Sequence, residues 1–127
     1  MASLTDYLEE RLLKHSVGLA SFTMPATTYL AIHTGDPGET GSSSEASGGS
    51  YARVAVSWTW NGGSVRVENS AAVLFASMPA GTFTHWSLKD ALTSGNTLFK
   101  GALTVPATLL LGDPLNIPAA SLKITAD

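Results

Sequence analysis

The chain has 127 residues, of which 44% are apolar and only 13% charged, and its formal net charge is −3. That length suits one domain with a real core, and so low a charge fraction implies that part of the surface meets another chain. Seven Lys and Arg, scattered with no basic stripe, argue against nucleic acid as a partner, and the lack of cysteine excludes disulfides, thiolate chemistry and cysteine-ligated zinc.

Ser3 is placed to cap a helix, with Asp6 three residues on in a capping-box-like spacing. Acids sit early (Asp6, Glu9, Glu10) and Arg11, Lys14 and His15 late, the order that suits the helix dipole. Leu4, Leu8 and Leu12 recur at every fourth position, so the helix is expected from Leu4 to Val17, with Gly18 as its stop and an apolar face that needs a partner. The N-terminal MASLTDYLEERLLKH is polar where a signal peptide is apolar. No apolar run reaches the roughly 18–20 residues of a membrane helix. The expectation is a soluble chain with no Sec-type export signal and no membrane partner.

After Pro25 the period changes to two. Thr27 to Thr34 reads as a strand. A long loop follows from Gly35 to Ser50, rich in Gly and Ser, with Asp36, Glu39 and Glu45 and no basic residue. Loops longer than about 12–15 residues are uncommon in compact domains and are usually functional or disordered. From Arg53 to Trp60 valines and tryptophans alternate with small and polar residues. Asn61-Gly62-Gly63 then turns the chain into Val65 and Val67, predicting a hairpin. Further strands are expected at Ala72–Ala76, Thr82–Asp90, Thr97–Val105 and Ala120–Thr125. The whole reads as one domain, 1–127, with its β region over 27–126. Its class is mainly β, an antiparallel β-sandwich or barrel of jelly-roll type with one short N-terminal α-helix.

The candidate chemistry is sparse. The three loop acids are hard ligands suited to calcium, but the alternating acids of an EF-hand are missing, and a solvated, flexible loop is favoured. A loop that orders on a neighbouring subunit is the third reading. His33 and His85 lie on strands that bring them together if they pair. With no third ligand and no HxH or HxxxH spacing, locally bonded or exposed histidines are favoured over a metal site. Ser, His85 and Asp90 compose a hydrolytic triad on paper only, since no GxSxG elbow occurs. Glu68 and Asp90 are the best carboxylate pair, with nothing to place them together. Trp58, Trp60 and Trp86 read as core rather than as a sugar platform. The expectation is no enzyme, no cofactor and no metal.

The segments SLTDYLEERLLKHSVG, TGDPGE, GGSYARVAV, THWSLKD and GALT together resemble a family of small tailed-bacteriophage virion structural proteins, often labelled tail fibre proteins. The resemblance runs from about Ser3 to Thr125, and TGDPGE and GGSYARV are its most specific pieces. It implies a virion component with no catalytic role, whose partners are the major capsid protein or tail and appendage proteins. Long fibres use repeats, coiled coils or β-helices, and none is present, so capsid decoration is the favoured role. The alternative is a tail-fibre or head-fibre base, or an adhesin for a host-surface glycan. A homo-oligomer, dimer or trimer, is expected. The contact residues expected are Leu4, Leu8 and Leu12 on the helix, Asp36, Glu39 and Glu45 in the loop, and Tyr51 and Arg53 at its end.

Overall fold

The computed structural model describes residues 2–125; the last position of the expected β region, 126, lies outside them. The helix, α1, covers Asp6–Ser16. Its cap is Thr5 rather than Ser3, because Ser3–Leu4 form a short strand, β1, paired antiparallel with Lys100 and Phe99. Thr5 is held extended by its N–H bond to the Leu98 carbonyl, and its hydroxyl accepts from the Leu8 N–H. The local capping signal is overridden by a pairing with a segment almost a hundred residues away. Leu8 is fully buried.

The remaining strands are β2 (Thr28–His33), β3 (Val54–Val56), β4 (Trp58–Asn61), β5 (Arg66–Asn69) and β6 (Val73–Phe75). They continue with β7 (Gly81–Lys89), β8 (Thr97–Leu109), β9 (Leu115–Ile117) and β10 (Lys123–Ile124). They build three antiparallel sheets: a five-stranded one in the order β1-β8-β7-β2-β3, a three-stranded one β10-β5-β4 and a ribbon β6-β9. The fold is thus mainly β and antiparallel with one short helix near the N-terminus, as expected.

The alternating run from Arg53 to Trp60 is not one strand. It breaks at Ser57, whose carbonyl accepts from the Ser70 N–H, and the chain passes there from the large sheet to the three-stranded one. β9 was not anticipated; its short Leu-Asn-Ile run follows a turn and shows no alternation longer than itself.

Directly opposed residues in antiparallel strands share a face. In the large sheet the rows Leu30–Leu88–Phe99 and Ile32–Trp86–Gly101 face the core. There they join Val56, Phe75, Phe83, Ile117 and Ile124 in one buried cluster fed by all three sheets. Each large apolar side chain buried this way stabilises the fold by about 1.5–3 kcal/mol. Gly101 is required beneath Trp86: a Cβ there would lie 2.8 Å from the indole ring.

Candidate functional site

The other face of the large sheet is polar. Its rows are Tyr29–Lys89–Thr97, Ala31–Ser87–Lys100 and His33–His85–Ala102, with Arg53 just beyond β3. A row of this kind normally faces water. Here His33, Ser87, Lys89 and Thr97 are all buried, because the long loop between β2 and β3 crosses over them.

The loop is pinned at successive points along its length. Lys100 Nζ lies 3.3 Å from both Asp36 Oδ1 and Glu39 Oε1. Gly41, at positive φ, gives its carbonyl to Lys89 Nζ, and Lys89 also donates to Thr97 Oγ1 at 2.6 Å. A side chain at Gly41 would collide with Thr97, so the crossing needs a glycine. Residues 43–46 then run back beside the end of β2, with Thr34 N–H bonded to Ser44 O and Ala46 N–H to Ile32 O. Tyr51 Oη accepts from the Ile32 N–H and donates to Glu45 Oε2. Arg53 clamps Glu45 through Nε and Nη2 and donates from Nη1 to the carbonyls of Ala91 and Ser94 in the β7–β8 turn. A loop read as flexible and solvated is thereby tied to its own sheet.

The electrostatics follow from this enclosure. Burial pushes Glu45 up, but hydrogen bonds from Arg53 and Tyr51 outweigh it and hold the carboxyl below its usual range. Burial lowers Lys89, with the Arg53 charge adding to the effect. Burial also lowers His33, so its imidazole is neutral near pH 7. The neutral tautomer is fixed by geometry: Nδ1–H donates to Ser43 O at 2.8 Å, leaving Nε2 to accept from Ser87 Oγ at 2.7 Å.

Placing the expected site residues on this frame divides them. His33 and His85 are indeed register partners, yet His85 bonds Thr84 Oγ1 while His33 bonds Ser87 and Ser43. Asp90 accepts from Asn96 through both carboxylate oxygens and, among the described residues, shares no hydrogen bond with His85, so it does not orient that imidazole. Asp36 and Glu39 turn to Lys100, and Glu45 turns to Arg53, so the loop acids do not converge. Among the described residues no group of three His, Asp or Glu is arranged to hold a metal ion. The Ser87–His33–carbonyl series has the bond order of a nucleophile, a base and its orienting group. Both side chains are fully buried under the loop, so no substrate carbonyl reaches Ser87 in this conformation.

Sequence reasoning missed Ser87, Lys89, Thr97 and Lys100 as partners of the loop. The signal was present in THWSLKD, where His85, Ser87 and Lys89 alternate with Trp86 and Leu88. Two-sided alternation of this kind marks a sheet whose second face is polar.

The helix residues separate too. Leu8 is inside its own chain and has no surface to offer. Leu4 and Leu12 line a small apolar groove with Trp60, Val65 and Phe99, of about 220 Å³. Trp60 is 63% exposed, contrary to the core expectation, because β4 is an edge strand. Trp58 is half-buried, its Nε1–H bonded to Thr28 Oγ1, and Trp86 is buried as expected. A larger apolar groove of about 720 Å³, bordered by Met24, Val56, Trp58 and Phe99, adjoins the first through Val67 and Ile124.

A β-rich exterior of this kind, apolar along one strand edge and strapped on another face, belongs to the class of bacteriophage structural proteins of the virion, because the model of a phage fibre family matches nearly the whole chain. That family is the Podophage GP4 fiber I protein gp80, matched over residues 3–125, and the chain belongs to it. No curated protein matches the chain. Membership makes the protein a virion structural component that meets other virion proteins. Among the described residues no helix is long and apolar enough to cross a membrane.

Proposed function

We propose that the protein is a compact unit of the phage fibre apparatus, a base or adhesin element that binds another virion protein. The observation that carries this reading is the fibre-family match over residues 3–125. Capsid decoration, the role favoured from the family resemblance and the lack of fibre repeats, draws no support from a fibre family and falls behind. The chain acts as one domain, supported by a single buried cluster that joins all three sheets. It has no repeat or coiled-coil heptads from which a shaft is drawn out, which suits an attachment point or a tip.

The surface we assign to the virion partner is the strand-edge patch of Trp60 and Val65 beside Leu4 and Leu12, where large apolar side chains remain in solvent. Homo-oligomerisation, as a dimer or trimer, is part of the proposal; low charge and exposed apolar residues support it. Asp36, Glu39, Glu45, Tyr51 and Arg53 are reassigned from partner contact to holding the loop on its own sheet, with only Asp36 and Glu39 outward enough to touch another chain as well.

The test is gold-labelled antibody against the protein on intact virions, with binding of purified protein to isolated tails and to empty capsids. Label on fibres and binding to tails support the proposal. Uniform label over the head, with saturable binding to capsids, overturns it in favour of decoration.

A further inference from the structure

We propose that the loop over 34–53 is an acid-released strap: protonation of His33, followed at lower pH by Glu45, lifts it from the polar face of the large sheet. The inference rests on the enclosure and is independent of which virion protein is the partner.

His33 sits where the strap and the sheet meet, bonded to Ser43 in the loop and Ser87 on β7. The charged and titratable groups that face this enclosure come from every element around it. β7 contributes His85 and Lys89, β8 contributes Lys100, and β2 contributes Tyr29. The loop contributes Asp36, Glu39, Glu45, Tyr51 and Arg53, and the β7–β8 turn contributes Asp90. Near His33 the balance is two cations, Lys89 and Arg53, against the Glu45 carboxylate. A third positive charge at the imidazole is therefore opposed by burial and by both neighbours. Ser87 can rotate its hydroxyl to accept from an imidazolium, so the obstacle is the enclosed charge rather than a lost hydrogen bond.

The sign is set by linkage. Closed, the strap holds His33 neutral below its ordinary pKa; open, the imidazole titrates as in water, near pH 6.5. As pH falls through that range the open form takes up a proton that the closed form refuses. The opening equilibrium rises by up to about tenfold per pH unit until the closed form's own pKa is reached. Glu45, held ionised by Arg53 and Tyr51, adds a second loss in the carboxylate range. The same argument removes the Ser87–His33 pair as a latent catalyst. The proton that opens the strap occupies the Nε2 position a general base needs free.

The experiment is amide hydrogen exchange of the full chain at pH 7.5, 6.5 and 5.5, corrected for intrinsic rates, with imidazole titration by NMR. Expected is faster opening of residues 36–46 by up to about tenfold per unit, with β7 and β8 unchanged. His33→Gln, neutral throughout, should show no such dependence over this interval. Should that variant fail to fold, the wild-type NMR decides: loop amides must shift with the His33 titration, not with that of His15 or His85. Three results overturn the proposal. They are flat protection of 36–46 down to pH 5.5, loosening of every strand together, and a folded His33→Gln chain that keeps the wild-type pH profile.

Discussion

Arg53 holds Glu45 with two parallel bonds, Nε to Oε2 and Nη2 to Oε1, each 2.9 Å long. The pair is largely enclosed, with the Arg53 side chain 10% exposed. Such a two-pronged grip is stronger than a surface ion pair, and removing one member strands the other. Arg53→Ala also frees the carbonyls of Ala91 and Ser94. It should lower stability by about 2–3 kcal/mol. Glu45→Gln, which keeps an acceptor for Tyr51 and Arg53, should cost less. Urea denaturation of both variants checks the order.

Gly41 is where the loop comes closest to the sheet. Gly41→Ala meets both a positive φ and the Thr97 side chain. Gly48 also has positive φ but nothing within 4 Å of a Cβ, so Gly48→Ala carries the backbone cost alone. That cost is about 1 kcal/mol, and the Gly41 variant should exceed it by at least about 1 kcal/mol more. Equal destabilisation of the two variants would show that the loop is not seated on Thr97.

Gly101→Ala presses a methyl group on the Trp86 indole without any backbone penalty of the left-handed kind. Overpacking of this kind costs about 1–3 kcal/mol. Trp86 must turn or the β7–β8 ladder must spread, so the near-ultraviolet circular dichroism should change along with the urea midpoint. An unchanged spectrum would mean the ring is not packed on Gly101.

Stability should fall as pH drops below neutrality and again above about pH 10, whereas the lowered Lys89 adds stability as pH rises toward its ordinary value. On the acid side the folded state refuses a proton at His33 and, lower down, at Glu45, so it binds fewer protons than the unfolded chain. Stability is then lost as pH falls below about 6.5 and again through the carboxylate range. On the alkaline side, burial raises Tyr51 well above its ordinary value, so folding is opposed once the unfolded tyrosine ionises above about pH 10. Tyr51→Phe should flatten the alkaline limb and His33→Gln the upper acid limb. Urea midpoints from pH 5 to 11 read both.

Trp60→Ser should leave folding stability within about 0.5 kcal/mol, since the ring is mostly in solvent. If the strand-edge patch is the virion contact, the same change should reduce binding to tails at least tenfold, as truncating an aromatic anchor does. Undiminished binding places the contact elsewhere.

Much of the fold was legible because its longest strands carry their own periodicity. β7 and β8 and the β4–β5 hairpin announce themselves through Phe83, Trp86, Leu88 and the Asn61-Gly62-Gly63 turn. The two-residue strands β1 and β10 are too short for any period and exist only through their partners Phe99, Lys100, Val67 and Glu68. The switch of sheets at Ser57 is equally silent, because alternation continues across it. At the strap the loop's Gly and Ser content reads as freedom. The same small residues let backbone lie flat on Lys89 and Thr97, a fact carried by residues fifty positions downstream. Arg53, expected as a contact residue at the loop's end, instead pairs with one of the loop acids, Glu45.

The pairing of Ser3 and Leu4 with Lys100 and Phe99 sets an order on folding. During synthesis the N-terminal segment emerges first and has no strand to join until β8 has left the ribosome. β2 likewise waits for β7, and β5 is flanked on one side by β10. Contacts so distant in sequence make folding slow, because closing the large sheet waits for β7 and β8. Until β7 is made, β2 has only β3 to pair with and its other apolar edge stands open to aggregation, so prompt delivery of the later strands protects the chain.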